Sequence, residues 1–493
     1  MQPYIPTREE FRLKAREGNL VPVYREISGD LETPVSAFKK IDAGRYAFLL
    51  ESVEGGEKWG RYSFLGADPS AVVRLEGRRM TVESDGRVQA RQVRDPLSGL
   101  QEFLARYRPV EVQGLPRFVG GAVGYLGYEC VRYLEKTVLL PEWQPGELPD
   151  AQFLITGSML VFDNLSHTIK VVVNAEVGSD PDASYRRATR RIDQLVDRLR
   201  GLTPTHYQKR RSGRRPVYTS TVTRSEFERA VRRAKDYILA GDAFQVVLSH
   251  ELATTITSEP FDVYRALRRI NPSPYMYFLR LGDDVVLGAS PEVLVRKEGE
   301  VVEVRPIAGT RPRGATHVED LRLEEELRAS DKDRAEHVML VDLGRNDLGR
   351  VSEYGTVNTD DLMVVERYSH VMHLVSGVRG VARDGTANFD VLRACFPAGT
   401  VSGAPKVRAM QIIHELEGRR RNVYAGGVGY FSFSGNMDMC IAIRTLVCRG
   451  SEATIGVGAG IVANSNPRLE YDETRSKAQV LIAAIEAAEA GFE

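Results

Sequence analysis

Two acidic pairs in this chain have the spacing of a single helix face. Glu470 and Glu473 are three residues apart, as are Asp333 and Glu336, and apolar residues continue both stripes at helical spacing. The first stripe also carries Lys477, and we expect it to face the core. Four carboxylates that converge without a partner repel one another and lose hydration, so such a set implies a bound cation. Oxygen ligands favour Mg²⁺; two solvated helix faces are the alternative.

Three glycine-containing segments accompany these helices. Segments 306–314 and 396–406 both contain Ala-Gly-Thr, and 456–467 is predicted to be a third glycine loop, leading into the helix of Glu470. Glycine lets backbone N–H groups approach an anion, and a threonine hydroxyl adds a donor. Ordinary tight turns are the alternative. The candidate carboxylate holders in the first two segments are Gly309, Thr310, Gly399 and Thr400.

Two further side chains are candidates for binding or catalysis. Arg444 interrupts the apolar run MCIAIRTLVC, which is predicted as one strand. A guanidinium there needs an anion, and both a substrate carboxylate and an internal salt bridge remain open. His373 is a candidate general acid or base, although structural histidines are common. One hard cation with several carboxylate holders suits a small dicarboxylic acid as substrate.

Composition restricts the class of protein. The chain has 493 residues, 42% of them apolar, which suffices for two or three globular units. Its 67 basic residues balance 67 acidic ones, so we expect neither nucleic acid nor a membrane as partner. Four cysteines without CxxC spacing predict reduced core thiols and a cytoplasmic location. We find no export signal and no apolar run of the about 20 residues that cross a bilayer.

A change in composition at residues 201–218 predicts an exposed basic linker between two parts. Residues 1–200 are predicted to form an N-terminal α+β domain, and residues 219–493 a second domain. Strand-like segments without strict βαβ alternation favour antiparallel sheets, packed as a sandwich with flanking helices, over a doubly wound parallel sheet. The predicted helices span about 182–200, 223–241, 319–341, 387–395, 404–417 and 467–490.

Several motifs together resemble those of the chorismate-utilising enzymes. The resemblance is dense over residues 225–485, and GGAVGYLGYE at 120–129 extends it to nearly the whole chain. The motifs are RPIAGTRPRG, DRAEH, LVDLGRNDLGRV, HVMHLVSGVRG, FPAGTVSGAPKVRAMQIIHELE, YAGGVGY and LEYDETRSKAQ. Within that family the chain is most similar to the large, synthase subunits that form anthranilate. The resemblance implies the family's α+β fold and an Mg²⁺-dependent carbon–oxygen lyase.

The resemblance also implies roles for individual residues. The implied Mg²⁺ ligands and their neighbours are Glu336, Glu473, Glu470 and Asp333. The residues implied to hold chorismate are Gly309, Thr310, Tyr424, Arg444, Gly458, Ala459 and Gly460. The implied catalytic groups are His373, Glu292, Thr400 and Lys477. Among these, Glu292 matches the acid that protonates a departing hydroxyl, and His373 is expected to assist the later elimination.

In the implied reaction, ammonia adds at C2 of chorismate, the C4 hydroxyl departs, and pyruvate is then eliminated to leave anthranilate. Two positions separate this reaction from its relatives. Ala308 stands where aminodeoxychorismate synthases typically carry a nucleophilic lysine. Gln245 stands where isochorismate and salicylate synthases use a lysine to activate water, and an amide has no basic lone pair for that task. An aminodeoxychorismate synthase component that lacks the lysine is the alternative.

The resemblance further implies a partner and a regulator. The chain has no GxCxG glutaminase motif, so a separate glutamine amidotransferase subunit is expected to supply ammonia. Segments 49–52 and 271–277 resemble a tryptophan-binding site for feedback inhibition of tryptophan biosynthesis. The positions carried over are Glu51, Ser52, Pro274, Tyr275 and Met276. A non-catalytic tryptophan-sensing subunit is an alternative function, and an ordinary strand end and turn are the alternative structures.

Overall fold

Antiparallel sheets form the framework of the chain. The computed structural model describes residues 3–42, 44–53, 60–139, 141, 143–204, 216–368 and 371–491. Within these ranges the strands form two sheets of twelve strands each, and neighbouring strands pair antiparallel. Helices flank both sheets, so the predicted antiparallel α+β fold is confirmed.

The sheets are built from strands that are distant in sequence. The first sheet contains β1 (Leu20–Ser28), β2 (Tyr46–Glu51), β3 (Tyr62–Ala67), β9 (Ser158–Asp163), β10 (Thr168–Glu176), β11 (Thr219–Ser220), β12 (Gln245–Thr255), β13 (Tyr275–Leu281), β14 (Asp284–Ser290), β20 (Gly403–Ala404), β23 (Thr445–Arg449) and β24 (Glu452–Ile461). The second contains β4 (Ala71–Glu76), β5 (Arg79–Ser84), β6 (Arg87–Gln92), β7 (Gly121–Leu126), β8 (Ala151–Thr156), β15 (Val293–Glu298), β16 (Val301–Val304), β17 (Ile307–Pro312), β18 (Asn358–Arg367), β19 (Val371–Val381), β21 (Gly427–Ser432) and β22 (Met437–Ile441). The order is β1-β10-β9-β3-β2-β13-β14-β23-β24-β12-β11 in the first sheet, with β20 beside β12, and β17-β19-β16-β15-β22-β21-β7-β8-β4-β5-β6 in the second, with β18 beside β19.

Strands from both sides of the predicted linker enter each sheet. In the first sheet β2 pairs with β13, which places Glu51 opposite Met276, and in the second β7 pairs with β21. A boundary between 1–200 and 219–493 therefore does not separate the sheets, and the two-domain division stays a prediction. Residues 205–215 of the predicted linker lie outside the described residues.

Five of the six predicted helices are confirmed, and the structure contains further helices that were not predicted. They are α1 (Arg8–Lys14), α2 (Pro34–Ile41), α3 (Pro96–Leu104), α4 (Val131–Leu134), α5 (Pro181–Arg200), α6 (Arg224–Leu239), α7 (Pro260–Ile270), α8 (His317–Ala329), α9 (Asp331–Gly349), α10 (Asn388–Cys395), α11 (Lys406–Glu417) and α12 (Pro467–Ala490). The single helix predicted over 319–341 is wrong. Ser330 separates α8 from α9, because its Oγ accepts the Asp333 N–H at 3.3 Å and so starts a new helix. No helix in the described ranges is long and apolar enough to cross a membrane.

Two predictions near the end of the chain need correction. The run MCIAIRTLVC is not one strand, because β22 ends in the second sheet and β23 begins in the first. Arg444 lies in the crossover with a φ of 50°, a left-handed conformation that costs a non-glycine residue about 1–3 kcal/mol. The predicted glycine loop 456–467 is wrong in its first half, which belongs to β24.

Apolar side chains hold α12 against the first sheet. Ala478, Leu481 and Ile485 belong to the core cluster that also contains Phe48 and Phe278, from strands β2 and β13. The four cysteines are buried free thiols, as predicted. The helix that carries the second acidic pair is thus fixed by the core.

His250 joins three elements of this core. The side chain on β12 is fully buried, its Nε2 lies 2.8 Å from Thr474 Oγ1 on α12, and its Nδ1 lies 3.0 Å from Ser220 Oγ on β11. Because the Thr474 hydroxyl donates to the carbonyl of Tyr471, we assign the proton to Nε2 and the accepting lone pair to Nδ1. Loss of hydration on burial is the main reason that the pKa of His250 falls to about 4.

Stability should therefore decrease in acid through this histidine. The unfolded imidazole takes up a proton below a pH of about 6.5, whereas the folded one stays neutral down to about 4. The resulting loss in the free energy of unfolding is absent at a pH of about 7.5 and begins as pH falls through about 6.5. It reaches about 2 kcal/mol at a pH of about 5. In thermal unfolding we expect His250→Gln to be less stable than the parent at neutral pH, by a margin that shrinks in acid. A margin that does not change with pH would contradict a neutral buried His250.

Candidate active site

The two acidic helices approach one another beside the end of β24. Loss of hydration raises the pKa of Glu336 on α9, and the charges of Asp333 and Glu473 act in the same sense. Loss of hydration likewise raises the pKa of Glu470 on α12, which also lies near Glu473. The four carboxylates therefore lie around one cleft, which we call the charged cleft.

The stripe on α12 does not face the core in its first turns. The Glu473 side chain is 49% exposed and that of Lys477 32%, and the two form an ion pair of 2.6 Å. Lys477 Nζ also donates to the Gly458 carbonyl at 3.1 Å. The buried face of the helix is the one through Thr474 and Ala478. The prediction that the charged stripe points inward is therefore wrong, since Glu473 and Lys477 line an open cleft that a charged ligand can reach.

The carboxylates suit a cation that takes few protein ligands. In the described part of the chain, no group of three or more acidic, histidine or cysteine side chains is arranged to hold a metal ion. Asp333 is paired with Arg311 at 3.1 Å. Glu336 and Glu473 are coupled electrostatically across the cleft, although Glu473 also pairs with Lys477. Mg²⁺ commonly takes one or two carboxylates and completes its shell with water and substrate oxygens. The donor set fits Mg²⁺ bound together with a substrate, and the metal assignment stays a prediction.

Arg444 lies among these charged groups without a partner from the described residues. Loss of hydration lowers the pKa of its guanidinium, while Glu292, Tyr424 and Glu473 act in the opposite sense. Within the described ranges the guanidinium makes no hydrogen bond and no ion pair. The internal salt bridge that the sequence left open is therefore not formed with these residues. A half-buried cation of this kind is available to an anionic ligand.

Two crossovers between the sheets hold Glu292 and Arg444 together. Glu292 lies between β14 and β15, and Arg444 between β22 and β23, so each marks a passage from one sheet to the other. The Ile441 N–H donates to the Glu292 carbonyl at 3.0 Å, and the Ala289 N–H donates to the Arg444 carbonyl at 3.2 Å. The two side chains are thus positioned by backbone hydrogen bonds that do not depend on a ligand.

Glu292 has the properties of a general acid. Its Oε2 accepts the Thr400 hydroxyl at 2.8 Å. Loss of hydration raises the pKa of Glu292, against the opposing effects of Thr400, Arg444 and Lys477. A carboxyl with a raised pKa keeps its proton to higher pH and can deliver it to a leaving group.

Strand β24 supplies one wall of the cleft. Its pairing with β23 ends at Ile455, whereas its pairing with β12 continues to Ile461, so the later residues have an open edge. In an antiparallel pair, alternate N–H groups point away from the neighbouring strand, here into the opening. The predicted binding residues in this segment are Gly458, Ala459 and Gly460. The backbone N–H groups of Gly458 and Gly460 can therefore donate to a carboxylate, whereas Ala459 is paired with Leu248 of β12.

Close packing requires glycine at two of these positions. A Cβ at Gly458 would lie 2.5 Å from the Tyr424 hydroxyl oxygen and 2.8 Å from the Leu248 carbonyl oxygen. A Cβ at Gly460 would lie 2.6 Å from Gln245 Nε2. Burial raises the pKa of Tyr424 to about 12, so its hydroxyl keeps its proton at neutral pH and can donate.

Gly309, Thr310 and His373 form another group of predicted residues. Gly309 has a φ of 65°, and a Cβ there would lie 2.8 Å from Leu327. His373 Nδ1 lies 2.9 Å from the Gly309 carbonyl oxygen and 3.1 Å from Thr310 Oγ1. Because a carbonyl only accepts, we assign the proton to Nδ1, which leaves the Nε2 lone pair for a substrate proton. Loss of hydration lowers the pKa of His373, which keeps the ring neutral at neutral pH.

The two positions that distinguish the relatives' reactions carry neither base nor nucleophile. Gln245 hydrogen-bonds to Glu336, and its Oε1 is buried without a partner among the described residues. Ala308 is buried in β17 next to Gly309. The cleft thus offers no lysine at either place.

A separate cavity is lined by strands of both sheets, and we call it the inter-sheet cavity. The pairing of β2 with β13 brings the two predicted regulatory segments to its wall. The predicted residues that line it are Glu51, Ser52, Pro274, Tyr275 and Met276. Glu51 is not available as a free charge, because it accepts from Tyr264 at 2.5 Å and pairs with Arg268 at 3.0 Å.

Sequence reasoning missed the charged side chains of the inter-sheet cavity. Asp438 accepts the Tyr275 hydroxyl at 2.9 Å and pairs with Arg296 at 2.7 Å and Arg117 at 3.3 Å. Two guanidinium groups thus converge on one buried carboxylate in the cavity wall, and Arg117 also lies 3.8 Å from Glu298. Arg296 interrupts the apolar start of β15, and the same signal that identified Arg444 could have found it.

Comparison with known proteins identifies the family. The model of the family described as chorismate binding enzyme matches residues 46–483. The chain belongs to this family. The matched segment contains all of the cleft residues described above, and a cleft with an unpaired guanidinium suits the dicarboxylate from which the family takes its description.

Relatives extend over nearly the whole chain. Anthranilate synthase component 1 of Pseudomonas aeruginosa is 48% identical over 99% of this chain and 100% of the relative, and that of Aquifex aeolicus is 47% identical over 98% of each. The solved structure of anthranilate synthase component I from Streptococcus pneumoniae is 37% identical, with a TM-score of 0.77, and covers 93% of this chain and 99% of that one. MenF, the menaquinone-specific isochorismate synthase from Escherichia coli, shares the fold at 19% identity, with a TM-score of 0.68 over 97% of this chain and 98% of that one.

The glycine at 458 offers a test of the cleft. We expect Gly458→Ala to push the Tyr424 hydroxyl away from β24 and to weaken chorismate binding by about tenfold or more, as measured by calorimetry. Gly349→Ala is the matched control, because a Cβ there would meet no atom within 4 Å. Equal chorismate affinity in both variants would show that Tyr424 and β24 do not form the binding wall.

Proposed function

We propose that the chain converts chorismate and ammonia to anthranilate and pyruvate. The observation that carries this proposal is the half-buried guanidinium of Arg444, which has no partner among the described residues and lies beside a candidate acid and two acidic helices. The relatives named anthranilate synthase component 1 support the choice of reaction.

Binding follows from the charges of the cleft. One carboxylate of chorismate pairs with Arg444, and the open N–H groups of β24 near Gly458 and Gly460 donate to an oxygen of the substrate. Lys477, already tied to the Gly458 carbonyl, places a second positive charge at the same wall. Mg²⁺ at Glu336 and Glu473 would neutralise these carboxylates and hold the ring carboxylate of the substrate.

Proton transfer is assigned to two residues of the chain. Glu292, with its raised pKa and its bond to Thr400, gives a proton to the C4 hydroxyl as it departs. His373, neutral and with Nε2 open, takes the ring proton when pyruvate is eliminated. Ammonia is itself a nucleophile, so the absence of a lysine at Gln245 and Ala308 is consistent with amination and disfavours water as the attacking group.

The nitrogen source and the regulator extend the proposal. A glutamine amidotransferase subunit supplies ammonia, with free ammonium as its substitute in the isolated chain. Tryptophan binds the inter-sheet cavity, with its carboxylate at Arg117 and Arg296 and its ring among the aromatic side chains. This assigns feedback inhibition to a site distinct from the charged cleft.

The reaction can be tested with the isolated chain. With chorismate, ammonium and Mg²⁺ we expect fluorescent anthranilate, identified by mass. An aminodeoxychorismate product would instead favour the aminodeoxychorismate synthase component. Binding of tryptophan without turnover would favour the non-catalytic sensing subunit. Glu473→Gln should reduce the rate on the order of a hundredfold, because it removes one charge of the coupled pair. Glu486→Gln, on the exposed face of the same helix, is the control and should keep the parent rate.

The regulatory assignment has its own test. Ser52→Arg places a long cationic side chain in the inter-sheet cavity, so the tryptophan concentration needed for half inhibition should rise about tenfold or more while uninhibited turnover stays the same. Ser166→Arg, on the exposed turn between β9 and β10, serves as control. Inhibition of Ser52→Arg at the parent's tryptophan concentration would refute the assignment of this cavity.

A further inference from the structure

A second cavity adjoins the charged cleft along the same face of the first sheet. We call it the rear cavity. Alternate residues of a strand point to the same face. Thr454 and Gly456 line the rear cavity, and Gly458 and Gly460 continue this face of β24 into the cleft. The rear cavity and the binding wall of the cleft therefore lie along one face of β24, and we call the strip that joins them the groove.

Tyr424 divides this groove. It lines the rear cavity, and a Cβ at Gly456 would lie 2.4 Å from the Tyr424 Cβ, while one at Gly458 would lie 2.5 Å from its hydroxyl oxygen. The ring thus lies across both glycines. The turn before Tyr424 is fixed by the buried carboxylate of Glu129, which accepts the N–H groups of Arg421 at 2.6 Å and Asn422 at 3.1 Å.

Carboxylates outnumber the guanidinium groups that line the rear cavity, although Arg419 lies near one of them, Glu251. Both arginines that line it are paired, Arg449 with Asp284 at 2.8 Å and Arg421 with Glu417 at 2.6 Å. The lining carboxylates that have no ion pair within the described ranges are Glu251 and Glu452. A half-buried glutamate beside a second glutamate attracts a small cation and repels a dianion such as chorismate.

We propose that the rear cavity is the route by which ammonium reaches the cleft, with Glu251 and Glu452 as its binding carboxylates and Tyr424 as the divider from chorismate. This inference rests on the proposed function and adds to it a second entrance. Ammonium is a single positive charge with four N–H donors, which carboxylates bind well. On leaving the carboxylates it gives one proton to water, and the ammonia that forms is the nucleophile in the cleft. An entrance on this side lets nitrogen arrive while chorismate occupies the other end of the groove.

Filling the rear cavity tests the proposal. Val447 on β23 lines the cavity and is not among the cleft residues. With the full chain, we expect Val447→Trp to lower kcat/KM for ammonium about tenfold at saturating chorismate, and to leave KM for chorismate within about twofold. Val447→Phe should give a smaller loss in the same direction. The double variant Glu251→Gln, Glu452→Gln should raise KM for ammonium several-fold without changing kcat.

The outcomes are distinguishable. Val301→Trp, an exposed position 46% accessible at the start of β16, is the matched control and should behave as the parent. Unchanged kcat/KM for ammonium in the Val447 and glutamine variants overturns the route, and so does a parallel loss of kcat/KM for chorismate. If the parent chain forms no anthranilate from ammonium, the proposed function is wrong. If the variants are active and keep the parent's ammonium kinetics, only the proposed ammonium route is wrong.

Discussion

The Arg444 guanidinium, which pairs with no anion among the described residues, is the constraint around which this site is arranged. Arg444 occupies a left-handed backbone conformation where the chain crosses between the sheets, and its carbonyl bonds to the strand before Glu292. A half-buried charge without a partner is unfavourable until an anion arrives. The strained crossover keeps the side chain in place for that anion, and the acid, the tyrosine and the acidic helices surround it.

Strand β22 links the charged cleft to the inter-sheet cavity. Asp438 and Cys440 of β22 line the cavity, and the crossover that carries Arg444 begins directly after this strand. The opposite wall comes from β2 and β13, which join the two halves of the chain. A ligand that tightens the cavity around Asp438 would therefore act on β22, and the end of β22 positions Arg444. This is a physical connection by which the proposed inhibition could act at a distance.

Local sequence signals predicted the secondary structure well where the residues of a single helix or strand determine where it begins. The predicted helices at about 223–241 and 467–490 are confirmed. Thr223 caps the first and Pro467 begins the second, and such a signal needs only its own first turn. The break at Ser330 was missed, because the helical periodicity of the sequence continues through it. The Ser330 hydroxyl accepts the Asp333 N–H and so caps a second helix, and periodicity carries no sign of that bond. The crossing at Arg444 was also missed, since an apolar run looks the same whether its strand stays in one sheet or passes to another.

The sequence motifs predicted which residues lie at the site, but not how exposed those residues are or which side chains they contact. Spacing placed Glu473 on a helix face, but it could not tell that the first turns of α12 extend past the core into a cleft. The pairing of Asp333 with Arg311 and the sharing of Asp438 by two arginines are contacts between segments distant in sequence, which no local pattern contains.

The most direct test of this account is a crystal structure of the chain with Mg²⁺ and chorismate in an unreactive, ammonia-free solution. The account predicts a substrate carboxylate on the Arg444 guanidinium, with the ion between Glu336 and Glu473 and in contact with the same ligand. A bound chorismate that leaves Arg444 unpaired, or an ion held away from both glutamates, would contradict it.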